Sequence, residues 1–181
     1  MFIAILCMIF IIFADQLTKW LCVALLEGTQ SVYIIPDVLR LTYVENRGAA
    51  FGMLDEHRWV FLVLSTVAII GLFIFLAKKP PESRLAWAGF TLVIGGGVGN
   101  MIDRVMLGYV IDFIDFCAFP DVWKWVFNIA DACVCVGVGI LMLWLILDTV
   151  KEYKLEKQNK TDIAHDETSD SNTSTDEKEE N

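Results

Sequence analysis

The stretch FIAILCMIFIIFADQLTKWLCVALL, from Phe2 to Leu26, decides the fold. Only Asp15 and Lys19 carry charge in it. In helical form, about 20 apolar residues cover the roughly 30 Å of a bilayer's hydrocarbon core, so this stretch reads as a membrane span. It is not expected to be a cleaved signal peptide: it lacks a basic leading region and a small-residue cleavage pattern, and more apolar runs follow. Ionisable groups inside a span are costly and point to a function.

Three further runs repeat the pattern. Trp59 to Ala77 is uncharged and ends at Lys78-Lys79-Pro80-Pro81, Leu85 to about Ile102 contains Gly95-Gly96-Gly97, and about Val126 to Leu147 contains Asp131. The chain is 56% hydrophobic, against about 45–50% in soluble domains, and the excess is concentrated in these runs. The expected fold is an all-α integral membrane protein with four transmembrane helices in one domain, residues 1–150. Residues 151–181 form an acidic tail with ten acids and five lysines, which carries −5 of the net charge of −9. From about Gln158 it has almost no apolar residue to bury, so disorder is expected there. No internal repeat is visible.

Lysines and arginines set the orientation. Lys78, Lys79 and Arg84 fall in one short loop, and Lys151, Lys154, Lys157 and Lys160 follow the last span. By the positive-inside rule both termini are cytoplasmic. Loops 27–58 and 104–125 then face outward, although the first of them holds Arg40, Arg47 and Arg58. Within 27–58, the stretches Ser31–Ile35 and Val38–Val44 read as strands around a Pro36-Asp37 turn, giving a small β element in the first outer loop. Trp123-Lys124-Trp125 has the composition of a membrane interface.

With this topology the polar residues share one depth, near the outer face. Asp15, Thr18 and Lys19 lie late in an outgoing span. Asn100, Asp103 and Arg104 end another, and Asn128 and Asp131 begin an ingoing one. Their i, i+3, i+4 spacings put each set on one helix face. The three stripes are expected to face each other, because lipid would leave them unsatisfied. Asp112 and Asp115 stand in the loop between the last two spans. Asp112 and Asp131 both have large apolar neighbours. If two such acids meet, burial and like charge raise a pKa, and one stays protonated while the other ionises. That pairing suits activation of water against a peptide carbonyl.

Several classes are disfavoured. No basic patch with interleaved aromatics suggests nucleic-acid binding. His57 and His165 are isolated and belong to no H-E-x-x-H motif, which disfavours a zinc protease, and no G-x-S-x-G element is present. The five cysteines read as small hydrophobes rather than a disulfide framework. Other readings stay open at this level. Asp15–Lys19 also fits a bundle-stabilising ion pair, and Asp103 beside Arg104 a structural cap. The glycines at 95–97 and 99 also fit close helix packing. A proton-coupled transporter or small channel uses intramembrane carboxylates too, but a transporter needs polar groups at several depths, and the cytoplasmic halves of the last three runs are almost wholly apolar. A non-enzymatic assembly factor would use the stripes to dock partner helices.

Five elements in order, DQLTK at 15–19, NRGAAFG at 46–52, GGVGNMIDR at 96–104, GYVIDF at 108–113 and FNIAD at 127–131, resemble those of the lipoprotein signal peptidase (signal peptidase II) family. The resemblance spans about 120 of the 181 residues. It implies a four-helix aspartic endopeptidase of the bacterial inner membrane, with its site toward the periplasmic face. Such enzymes cut the signal peptide from prolipoproteins just before a diacylglyceryl-modified cysteine. Asp112 and Asp131 would be the catalytic dyad, and Asn46, Asn100, Arg104 and Asn128 would line the site. Asp15, Lys19 and Asp103 would support it. The resemblance implies no metal or organic cofactor, membrane lipids as partners, a monomer, and inhibition by globomycin-type lipopeptides. The acidic tail lies outside the shared pattern, and the first span lacks the family's leading basic residues.

Overall fold

The computed structural model describes residues 2–48, 58–119 and 125–176. Residues 49–52 of the NRGAAFG element, His57, and Trp123 with Lys124 of the interface motif lie outside them. The elements run α1 (Phe2–Leu26), β1 (Val32–Ile35), β2 (Leu39–Asn46), α2 (Arg58–Lys78), α3 (Arg84–Met106), β3 (Val110–Phe116), β4 (Val126–Phe127) and α4 (Ile129–Asp176). The chain divides into two compact units, Met1–Leu141 and Met142–Asn181. The second contains the C-terminal part of α4.

Among the described residues, three helical stretches are long and apolar enough to cross a membrane: Phe2–Leu26, Arg84–Met106 and Ile129–Gln158. Val63–Lys78 is a shorter apolar helix within α2. Large apolar side chains such as Phe2, Phe10, Phe13, Trp20 and Leu25 on α1 are exposed, as expected of helices that lipid solvates. Small residues allow the helices of the first unit to approach closely. A Cβ on Gly99 would stand 2.6 Å from Asp15 Oδ2, and one on Gly96 would strike the Ala130 carbonyl oxygen. The close-packing reading of these glycines therefore describes what α3 does against α1 and α4.

The sheet is larger than the sequence suggests. Its four strands are antiparallel in the order β1-β2-β3-β4. The hairpin β1–β2 is the small element expected in the first loop. At its turn, Val38 N–H donates to the Ile35 carbonyl at 3.1 Å, and Asp37 takes φ 57. Proline presets the first corner, and aspartate is among the few residues that tolerate the left-handed second one. β3 and β4, however, come from segment 104–125 and from the start of the expected fourth span. That corrects the loop assigned to Asp112 and moves the start of α4 to Ile129. β3 carries no strand-like alternation in the sequence because its first four residues are all buried. A strand covered on both faces shows no polar-apolar alternation.

Gly108 connects α3 to β3. The backbone N–H groups of Leu107 and Gly108 both donate to the Asp103 carbonyl, at 2.7 and 3.3 Å. Gly108 has φ 86, a left-handed conformation that closes the helix without Cβ strain. Ile111 and Phe113 then pack with Cys22 and Leu26 of α1, fixing the strand that carries Asp112. At the other end, α4 continues as helix past 158 to Asp176, where composition predicts disorder.

Candidate active site

Asp15 and Lys19 stand one turn apart on α1, and both are fully buried. The Lys19 ammonium contacts Asp15 Oδ2 at 2.8 Å, Asp103 Oδ2 at 2.9 Å and Asn100 Oδ1 at 2.8 Å. Its three protons thus have three acceptors. The second Asp15 oxygen, Oδ1, accepts the backbone N–H of Ala130 at 2.9 Å. This places a carboxylate at the first turn of α4, where unpaired N–H groups and the helix dipole favour negative charge.

Two amides connect Asp112 and Asp131. Asn128 Nδ2 donates to Asp112 Oδ1 at 2.7 Å and to Asn100 Oδ1 at 3.0 Å. Asn100 Nδ2 donates to Asp131 Oδ1 at 2.7 Å. Lys19 holds Asn100 Oδ1 from beneath, which fixes that amide with its N–H toward Asp131. Asn46, at the end of β2, donates to Asp112 Oδ2 at 2.8 Å, and its own Oδ1 accepts the Gly48 N–H at 3.2 Å. The two carboxyl groups are therefore oriented by N–H donors and share one hydrogen-bonded framework. Burial pushes the Asp112 carboxyl up to about 7, and the charge of Asp131 pushes the same way, against the lowering effects of Asn46, Asn128 and Lys19.

The i, i+3 spacing of Asn128 and Asp131 has a different meaning from the expected helical stripe. Asn128 precedes α4. The Asp131 N–H donates to Asn128 Oδ1 at 2.8 Å, and the Asn128 N–H donates back to Asp131 Oδ2 at 3.2 Å. This reciprocal pair is a capping box, so one device starts the helix and aims both side chains into the site.

Other residues settle differently from their sequence reading. Asp103 pairs with Lys19 rather than with its neighbour Arg104. Arg104 donates to the Asn100 carbonyl at 3.4 Å. With Asn100 and Asp131 it lines a cavity of about 280 Å³, whose apolar wall includes Ile69, Leu72 and Val134. Thr18 leaves the polar stripe and donates to carbonyls of its own helix, Ala14 and Asp15, at 2.8 and 2.9 Å. Asp115 leaves the site too, pairing with Arg40 on β2 at 2.6 Å. Three residues beyond Asp112 on a strand is the opposite face. Gln16 is the residue that sequence reading missed. It donates to Asp103 Oδ1 at 2.8 Å and to the Gly99 carbonyl at 3.1 Å.

The family model of signal peptidase (SPase) II matches residues 7–147, a range that contains every residue of this framework. The chain belongs to the signal peptidase II family. It is similar to a lipoprotein signal peptidase of Halalkalibacterium halodurans, 40% identical over 144 residues that cover 80% of this chain and 92% of that protein. It is likewise similar to the lipoprotein signal peptidases of Brevibacillus brevis, at 45% identity over 78% of this chain and 93% of that one, and of Bacillus subtilis, at 40% over 80% and 93%. A solved structure of a bacterial membrane enzyme superposes with a TM-score of 0.73 at 32% identity, covering 82% of this chain and 90% of that one. As a signal peptidase II the chain is a membrane peptidase, a hydrolase.

Proposed function

We propose that the chain is an intramembrane aspartic endopeptidase that removes signal peptides from diacylglyceryl-modified prolipoproteins, cutting just before the lipid-modified cysteine. The observation that carries this reading is the framework Asp112–Asn128–Asn100–Asp131, two carboxyl groups held together by amides beside an apolar cavity.

In this reading one aspartate takes a proton from water, and the oxygen attacks the scissile carbonyl carbon. The other gives its proton to the carbonyl oxygen. As the tetrahedral intermediate collapses, a proton passes to the leaving nitrogen and the C–N bond breaks. Asp112, held near 7 by burial, is suited to carry a proton at neutral pH. Asn46 and Arg104 hold the substrate backbone or the developing oxyanion. Lys19, Asp15 and Asp103 support the dyad from beneath. The chain crosses the bacterial inner membrane four times with both termini cytoplasmic. The site faces the periplasmic leaflet, where the substrate's acyl chains stay in lipid. The acidic tail from 151 has no catalytic role, the protein acts as a monomer, and globomycin-type lipopeptides compete for the site.

The test is cleavage of a purified precursor in its diacylglyceryl-modified and unmodified forms, followed by gel shift and mass spectrometry of the products. The expected result is one cut, immediately before the modified cysteine, in the modified form alone. Equal cutting of both forms, or a cut elsewhere, overturns the proposed specificity.

A further inference from the structure

Asp103 is the point where α3 holds the strand that carries Asp112. Its Oδ2 accepts the backbone N–H of Ile111 at 3.1 Å as well as the Lys19 ammonium at 2.9 Å. Ile111 immediately precedes Asp112. Asn46 and Asn128 fix how the Asp112 carboxyl is turned, and Asn128 Nδ2 also donates to the Ile111 carbonyl at 3.3 Å, whereas the Asp103–Ile111 bond holds the Val110–Ile111 peptide, one residue before Asp112, to α3. A carboxylate turns about its Cβ–Cγ bond as one rigid unit, so whatever holds Oδ1 also places Oδ2. The group on Oδ1 is Gln16 Nε2, at 2.8 Å, which also donates to the Gly99 carbonyl on the α3 backbone at 3.1 Å. The same amide lies 3.3 Å from Asp15 Oδ2, a longer contact than the other two. Its bond to the Gly99 carbonyl ties it to the α3 backbone one turn before Asp103, a fixed reference that the Lys19 ammonium, bonded only to side chains, lacks.

We propose that Gln16 is a positioning residue: it locks the Asp103 carboxylate in the orientation that anchors the Ile111 N–H, and so sets the place of Asp112 relative to Asp131. This rests on the reading of Asp112 as a catalytic residue. A shift of about 1 Å in a reacting group costs on the order of a hundredfold in rate, so loss of one link in such a relay is expected to lower turnover by roughly tenfold or more. Binding should change little, because Gln16 lies behind Asp103 and away from the cavity lining.

The experiment uses full-length protein in lipid nanodiscs, well below its melting temperature, with the diacylglyceryl-modified precursor as substrate. Gln16→Met keeps the side chain's length and removes its donor. It should reduce kcat about tenfold with KM unchanged. Combined with Asp103→Asn it should add nothing to the loss from Asp103→Asn alone, because both act through one bond. Thr18→Val, on the same helix but bonded only to its own backbone, should turn over normally. Amide exchange of a peptide containing Ile111 should accelerate in Gln16→Met. An unchanged kcat, a pure rise in KM, effects that multiply in the double variant, or unchanged exchange at Ile111 would each overturn the proposal. Should Gln16→Met fail to fold, Gln16→Asn, one methylene short of Asp103, is read by the same criteria. Normal turnover in Asp112→Asn would instead sink the dyad reading, and the exchange measurement still decides the anchor.

Discussion

Replacing Lys19 with methionine should be among the most damaging single changes for stability. The two side chains are similar in length, so little packing is lost. What goes is the cation between Asp15 and Asp103, which are 0% and 3% exposed. Removing one partner from a buried pair typically costs about 3–5 kcal/mol, because the remaining charge is left unneutralised. Here two carboxylates and the Asn100 oxygen lose a donor together. In a chain of 150–250 residues each kcal/mol moves Tm by about 2–4 °C, so a fall of roughly 6–20 °C is expected. Thermal melting in detergent, followed by tryptophan fluorescence, reads it. Asp15→Asn combined with Lys19→Met removes one charge of each sign and should melt above Lys19→Met alone. A Tm for Lys19→Met within about 2 °C of the parent, less than the shift of a single kcal/mol, would refute the claim that Lys19 is the cation that holds two buried carboxylates.

The remaining predictions probe the same framework. Asp112 has its pKa raised from 3.8 to about 7, so the native state binds the extra proton. Its contribution to stability is fully present below about 4 and lost as the pH rises through about 7. Asp112→Asn should flatten that decline in Tm, and in the parent kcat should fall on the basic side of about 7 if this group donates the proton. An identical pH–Tm slope in the two proteins counts against a buried, protonated Asp112. Gly99→Ala should cost about 1–3 kcal/mol, because the new methyl meets Asp15 Oδ2 at 2.6 Å. The melting curve shows this directly, and a neutral substitution would mean that α1 and α3 are less close than described. Asp115→Ala breaks a partly solvated pair with Arg40, whose side chain is 37% exposed. It should cost no more than about 1 kcal/mol and leave cleavage intact, which separates it from Asp112→Asn in a parallel gel-shift assay.

The helices were legible because lipid-solvated segments announce themselves as long uncharged runs. Their polar interruptions stand out for the same reason, and Asp15, Lys19, Asn100, Asp103, Asn128 and Asp131 do meet. Three features were not legible. β3 is buried on both faces, so Asp112 and Asp115 looked like loop residues until the strand sent them to opposite sides. The spacing of Asn128 and Asp131 is shared by a helical face and a capping box, and only the position of the helix start distinguishes them. Gln16 lies three residues before Lys19, a spacing that places it near the same helix face, but nothing in the sequence shows that its amide reaches Asp103 on another helix. The adjacency of Asp103 and Arg104 suggested a pair. On a helix, adjacent side chains diverge, and Asp103 turns to Lys19 instead.

The most direct test of the central claim is cleavage of a diacylglyceryl-modified precursor by Asp112→Asn and by Asp131→Asn, each first shown by thermal melting to be folded. Asparagine keeps the shape of each side chain and removes only its ability to ionise and to exchange a proton. The account predicts that each variant alone abolishes cleavage while still binding the precursor. Normal turnover by either folded variant would contradict it.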